Sequence, residues 1–345
     1  MKTNVRKLTA VVTAFASASA LVACTADPAM SAFQNPRPWQ SEGSAVYEKL
    51  DYSVSVYDTK KGATEDKRVL IASGDLGFVL EYGEQTSLGG EATLDMSFSV
   101  KYNDNAPEKD IGITDTIVSK TTLRTDSLET LSMQKTVTLG ERAGETNRSY
   151  SITAENGKAT RTMYGNTSTL KINGKYWDNE TMYYLARATD IKKSATTNFY
   201  MTGLFDCFEK DEYSQLTMSA AANDSLTKLE FDEWIKDYVI TKEQEDAEKE
   251  EEKNDQETKA AKSDEATGGE TAEDTPYTVP CYSVAILMAT TESGPAHFAY
   301  YSERPIEVDG IRHKKVPLKI TYAVYDGNSM ALYYEYILTS LSFKK

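Results

Sequence analysis

The chain has 345 residues, a formal net charge of −15 and only three cysteines. That length is ample for a sizeable core, and no basic stripe interrupts the acidity, so nucleic-acid binding has no electrostatic footprint. Much of the charge is local: residues 241–275 hold fourteen acids against five bases, which leaves the remaining body only mildly acidic.

Lys2, Arg6 and Lys7 precede an uncharged run from Leu8 to Ala23. The run is too short to span a bilayer and reads as an export signal over residues 1–23. It ends in Leu21-Val22-Ala23-Cys24. This tetrapeptide resembles the lipobox of bacterial lipoproteins, where the cysteine thiol receives a diacylglyceryl group and becomes the first residue after cleavage. The resemblance implies lipidation at Cys24 and places the chain on the extracytoplasmic face of a cell-envelope membrane. Burial of lipid contributes about 0.8 kcal/mol per CH2, so two acyl chains anchor stably where one binds marginally. A plain signal peptide with a chance cysteine is the alternative. Residues 24–43, with Pro28, Pro36 and Pro38, read as a flexible tether.

From residue 44 the dominant rhythm is period two. Ala92, Leu94, Met96, Phe98, Val100 and Tyr102 alternate with Thr93, Asp95, Ser97, Ser99 and Lys101. This predicts a strand with one buried and one wet face, as in antiparallel sheets. Leu50, Tyr52, Val54 and Val56 repeat the pattern, as do Leu131, Met133, Val137 and Leu139, and Val316, Leu318, Ile320, Tyr322 and Val324. Asn156-Gly157, Asn173-Gly174, Asp309-Gly310 and Asp326-Gly327 are turn pairs that tolerate positive φ. The last separates Val316–Tyr325 from Met330–Phe343, a closing hairpin. In its second strand the apolar phase changes from Leu338 to Leu341, which predicts a bulge near Thr339.

One stretch breaks the rhythm. Asp178 to Asp190 is led by acids, Asp178 can cap it, and Met182, Leu185 and Ala186 share a helical face. It predicts a helix of about three turns lying on the sheet or plugging an open barrel. Strands resume at Phe199–Phe208 and Tyr213–Ala220, and Trp234–Ile240 is a strand or a short helix. Residues 241–275 hold almost no aliphatic side chain and read as a disordered surface insertion. The acids there lack the spacing and glycine turn of a calcium loop. The body therefore divides into 44–240 and the closing strands 276–345, forming one large β domain or two smaller ones. The expected fold class is mainly β with one short helix: a large curved antiparallel sheet, or an incomplete barrel, packed on a helix.

The chain offers no recognisable catalytic, metal or cofactor motif. Its two histidines, His297 and His313, stand at no metal-ligand spacing and read as residues of strand edges or turns. No Gly-x-Ser-x-Gly elbow or phosphate loop occurs. A carboxylate-pair hydrolase assembled across strands would leave no local signature and stays as a third reading. Cys207 and Cys281, in an oxidising compartment, leave open a disulfide or two buried thiols. Tyrosine doublets at 183–184, 300–301 and 333–334 either line a groove for a lipid or glycan or are simply good strand residues.

The acid-led Tyr-Tyr-Leu-x-Arg run within Asp178–Arg187, and Val316-Pro317-Leu318-Lys319-Ile320, resemble the lipoprotein-carrier superfamily and related periplasmic β families of unknown function. The resemblance implies an incomplete antiparallel barrel wrapped over a helix, often with an apolar cavity, and no catalytic residue. The resulting expectation is a non-enzymatic, lipid-anchored lipoprotein that binds an apolar or amphipathic ligand. An envelope-displayed structural or interaction module without a cavity is the alternative. No cofactor, metal or nucleic acid is expected, and the membrane is the expected partner through Cys24.

Overall fold

The computed structural model describes residues 47–59, 68–86, 89–140, 148–155, 158–163, 165–171, 176–177, 179–188, 196–201, 214–219, 226–241, 244, 277–288, 296–326 and 329–344. The export signal, the tether and the acidic insertion lie outside these residues, as do Asn156-Gly157 and Asn173-Gly174.

The first half is an up-and-down meander: β1 (Tyr47–Asp58), β2 (Val69–Thr86), β3 (Gly89–Tyr102), β4 (Thr114–Arg124), β5 (Thr130–Thr138), β6 (Arg148–Glu155), β7 (Lys158–Met163) and β8 (Asn166–Lys171). A 3-10 turn, Asn179–Thr181, then leads into α1 (Met182–Ala188). The second half comprises β9 (Thr196–Met201), β10 (Ser214–Ser219), β11 (Thr227–Phe231), β12 (Tyr277–Met288), β13 (Ala296–Ser302), β14 (Ile306–Val308), β15 (Ile311–His313), β16 (Pro317–Asp326) and β17 (Ser329–Lys344). The chain is thus mainly β, with a single α-helix among the described residues.

Fifteen strands form one sheet in the order β8-β7-β6-β5-β4-β3-β2-β1-β17-β16-β13-β12-β10-β9, with β11 also on β12; β14 and β15 form a separate hairpin. Each pairing is antiparallel. Strands from 44–240 and from 276–345 are hydrogen-bonded into the same sheet, and the first and last strands meet at its middle: Tyr47 faces Lys344 and Leu50 faces Leu341. The sheet does not close into a barrel. Its two edges, β8 and β9, are consecutive along the chain, and α1 lies between them in sequence. Right-handed twist accumulates at roughly 20–25° per strand, so a sheet this wide curls and acquires a concave side.

Alternation decides which face is concave. On β1 Leu50, Tyr52, Val54 and Val56 are buried, and on β3 Ala92, Leu94, Met96, Phe98 and Val100 are buried, as the sequence rhythm requires. Each valine, leucine, methionine or phenylalanine among them contributes roughly 1.5–3 kcal/mol on full burial. The expected bulge is present: Asp51 faces Ser340 while Tyr52 faces Leu338, leaving Thr339 as the extra residue, with its hydroxyl donating to the Asp51 carbonyl. Asp309 and Gly310, at φ 49° and 73°, make the tight turn of the β14–β15 hairpin. Trp234–Ile240 resolves as a short 3-10 helix, Glu233–Asp237, followed by a bridge from Val239 to Ile306. Phe199–Phe208 is a strand as far as Met201.

Candidate functional site

The residues singled out from sequence fall in different places. Cys24 and Cys207 lie outside the described residues. Cys281 is a free thiol buried in β12, and burial, aided by the nearby Glu303, pushes it up to about 12, so it is unreactive near neutrality. The histidines require a correction. Neither sits at an exposed edge or turn: both are buried in strands, with His313 wholly enclosed. Polar partners inside the fold, invisible in the linear pattern, make that burial tolerable.

The centre of the molecule is a charged cluster between α1 and the sheet. Arg187, near the end of α1, is fully buried. Its Nη1 donates to Glu48 Oε1 at 2.7 Å and its Nη2 to Glu48 Oε2 at 3.2 Å, a bidentate fork. The same Nη2 reaches the Lys314 carbonyl at 3.4 Å. Glu48 sits on β1 in phase with Leu50 and Tyr52, so strand alternation alone turns it inward. His313 Nδ1 donates to Glu48 Oε2 at 2.5 Å, and its ring stacks on Phe343 at 3.7 Å between centroids. Burial opposes ionisation of Glu48, but Arg187 and His313 outweigh it and hold the carboxyl at about 2. Glu48 is therefore a carboxylate throughout the neutral range. Lys315 Nζ donates to the Arg187 carbonyl at 3.3 Å and so satisfies the helix end.

Aromatic side chains fill the space around this cluster. The Tyr52 hydroxyl donates to the Pro317 carbonyl at 2.7 Å, and the Tyr301 hydroxyl to the Tyr183 carbonyl at 2.8 Å. Phe78 meets Tyr52, Tyr183 and Tyr184 edge-on, at 6.0–6.2 Å between centroids. Tyr183 also hydrogen-bonds His297 Nδ1 at 3.1 Å, and His297 stacks on Tyr322. Burial depresses His297 to about 3, so it is a neutral imidazole. Nearer the start of the helical segment, the fully buried Lys135 on β5 donates to Glu180 Oε1 at 2.5 Å. Trp177 Nε1 donates to the Ser127 carbonyl at 3.1 Å, which docks this end against the β4–β5 connection.

The helical segment thus touches β5 through Glu180, β2 and β13 through Tyr183, and β1 through Arg187. Each side chain from Met182 to Arg187 is buried. Glu48 and His313 form a carboxylate–imidazole pair, the orienting half of an acid–base device. His313 Nε2, however, has no hydrogen-bond partner among the described residues, and the ring lies under Phe343. An incoming molecule would have to displace core side chains to reach it. The arrangement fastens the helix to the sheet.

No protein-family model matches the chain, and no curated protein matches it in sequence. It is similar in shape to a crystal structure from Brucella abortus described as a beta-barrel-like protein of a domain of unknown function, DUF1849. That likeness has 11% identity and a TM-score of 0.45, and covers 88% of this chain and 100% of the other.

Sequence reasoning missed Glu48, Lys135 and Arg187. Two of them had a readable signal. Glu48 and Lys135 each occupy an apolar phase of an alternating strand, Lys135 falling between Met133 and Val137. A charge in that phase must find an opposite charge inside.

Proposed function

We propose that the chain is a non-enzymatic lipoprotein of the cell envelope, fixed to the extracytoplasmic face of a membrane through Cys24, whose body works as an interaction or structural module. The observation that carries this reading is the filled concave face: six consecutive helix residues, Met182 to Arg187, are buried against the sheet. The space around them is taken up by the Arg187–Glu48 pair and by closely packed aromatic rings, Phe78 against Tyr183 and Tyr184. A carrier of lipid needs an apolar chamber in that position. The two glutamates buried among the described residues are already engaged by Arg187 and by Lys135, which also weighs against a carboxylate-pair hydrolase.

The test is mass spectrometry of the protein purified from native membranes. The expected result is a diacylglyceryl group on Cys24 and no stoichiometric lipid released from the body. A bound lipid at one per chain would replace this reading with the carrier one. Unchanged membrane retention of Cys24→Ser would remove the anchor.

A further inference from the structure

We infer that the inward face of β4 is a binding site for a buried water, which bridges the hydroxyls of Ser119 and Thr121 beside the Lys135 ammonium. The inference concerns the interior alone and goes beyond the reading of the body as an interaction module.

Strand phase brings the polar groups together. β4 alternates strictly: Asp115, Ile117, Ser119, Thr121 and Leu123 are buried, and the residues between them are exposed or half-buried. Ser119 and Thr121 thus hold apolar positions of the strand, between Ile117 and Leu123. Across the sheet Ser119 stands between Met96 of β3 and Lys135 of β5, and Thr121 between Leu94 and Met133. Lys135 in turn reaches Glu180, in the turn before α1. Two hydroxyls and a buried ion pair therefore share one part of the interior.

The state of the two hydroxyls decides the matter. Ser119 is 2% exposed and Thr121 0%, and neither hydroxyl oxygen has a hydrogen-bond partner among the described residues. Buried polar atoms nearly always have one. Elsewhere in this interior they do: the Thr125 hydroxyl donates to the Gly90 carbonyl, Tyr52 to Pro317 and Tyr301 to Tyr183. Leu94, Met96 and Met133, beside the two hydroxyls, offer none. Valine has the shape of threonine and would fill position 121 with no bond left to make.

Spacing, charge and enclosure select water as the occupant. Residues two apart on a strand lie about 6.7 Å from one another. Two hydrogen bonds of about 2.8 Å, placed end to end, let one water join hydroxyls up to about 5.5 Å apart, within reach of side chains that lean together. Lys135, an ammonium with three donors, is the third group, and buried waters typically make about three hydrogen bonds. Its charge is already countered by Glu180, so an anion gains nothing there. The flanking Leu94, Met96 and Met133 are core side chains, which a larger molecule would have to displace. Ordering one water costs less than leaving two hydroxyls desolvated and unbonded.

The test is oxygen-17 relaxation dispersion of water around the full mature chain in detergent micelles, which counts waters that exchange too slowly to belong to the surface. Ser119→Ala and Thr121→Val, combined, remove both hydroxyls. The expected difference from wild type is the loss of one long-lived water per chain. Thr121→Ser keeps the hydroxyl and should keep the water. Urea unfolding supplies an independent sign. A water bonded to Thr121 loses a partner in Thr121→Val, so the midpoint should fall, by about 0.3 M. A dry hydroxyl predicts the opposite, a midpoint at or above wild type, because valine then removes an unmet group. That result overturns the proposal, as does an unchanged dispersion amplitude in the double variant. Should the double variant not fold, Ser119→Ala alone reads the same two quantities, and a wild-type chain with no long-lived water overturns the proposal directly. Neither readout involves Cys24 or a partner, so the reading of the body as an envelope module stands or falls separately.

Discussion

Replacing Arg187 by methionine isolates the central cluster. Methionine approximates the length and packing of the arginine stem but cannot donate. The change deletes two charge-assisted bonds to Glu48, at 2.7 and 3.2 Å, and the contact to the Lys314 carbonyl. It leaves the Glu48 carboxylate buried, with His313 as its remaining hydrogen-bond partner among the described residues. Removing one member of a buried ion pair costs about 3–5 kcal/mol, because the other charge stays desolvated. Against a total stability of about 5–15 kcal/mol, that is a third or more of the margin. Urea unfolding followed by tryptophan fluorescence reads it directly, since Trp177 and Trp234 are both ordered near the helix and sheet. The double variant Arg187→Met with Glu48→Gln should lose less than the sum of its parts, by about 1–3 kcal/mol, because the second change removes the charge the first one strands. Glu48→Gln should also flatten acid unfolding. With the folded carboxyl at about 2 and its ordinary value at 4.5, the unfolded chain binds the extra proton between those values. The stabilisation from Glu48 is thus complete above pH 4.5 and disappears as pH falls towards 2. A loss below about 1 kcal/mol for Arg187→Met, or strict additivity in the cycle, would refute the claim that this pair fastens the helix.

His297 gives a separate pH window. Its folded value of about 3 lies below the ordinary 6.5, so the unfolded state takes up the proton first and stability falls as pH drops through 6.5 towards 3. Linkage puts the loss near 2 kcal/mol at pH 5, above the range where Glu48 titrates. His297→Phe, which can still stack on Tyr322, should remove that slope in urea titrations run from pH 7 to 5, and an unchanged slope contradicts the assignment. Gly74→Ala should destabilise severely, because its Cβ would fall 1.8 Å from the Ser99 carbonyl oxygen. Gly77→Ala meets only the Ser97 hydroxyl at 3.0 Å and the Asp51 side chain at 3.4 Å, so thermal midpoints of the two variants should differ by several degrees. Truncation after Asp326 removes β17, the strand between β1 and β16, together with Phe343 over His313. The truncated chain should give neither a cooperative transition nor protease resistance.

The sheet was legible because half-buried antiparallel strands write their faces into alternate residues. β3 and β1 were readable for that reason, and even the Thr339 bulge followed from a one-residue phase change in β17. The helix was legible by contrast, as the stretch without alternation. Pairing order was not. Nothing local in Tyr47–Asp58 says that β17, almost the whole chain away, is its partner, since register is set by which apolar sets can share a face. The charged cluster was hidden for a related reason. Arg187, Glu48 and His313 come from three distant segments, and a single chain position cannot show that its counter-charge arrives from elsewhere. His313 looked like a turn residue because Asp309-Gly310 is close by, yet the short β14–β15 hairpin turns it inward onto Phe343.

The position of the helix follows from the topology. A meander laid strand by strand from β1 to β8 ends at one edge of the sheet, and β9 begins the opposite edge. The chain between them must cross from edge to edge, and the shortest path over a curled sheet is through its concave side. A polypeptide crossing an apolar trough has to satisfy its own backbone, which a helix does. Its side chains then meet the middle of the sheet, where β1 and β17 join. Glu48, the second residue of β1, meets Arg187 there, and His313 joins from the segment just before β16. The ion cluster therefore sits where the beginning, middle and end of the chain converge. A charge network at that point stabilises little against an apolar core of equal volume, but it penalises any packing in which one of the three segments is absent or out of register. With the concave side committed to holding the molecule together, recognition is left to the surfaces that face away from it.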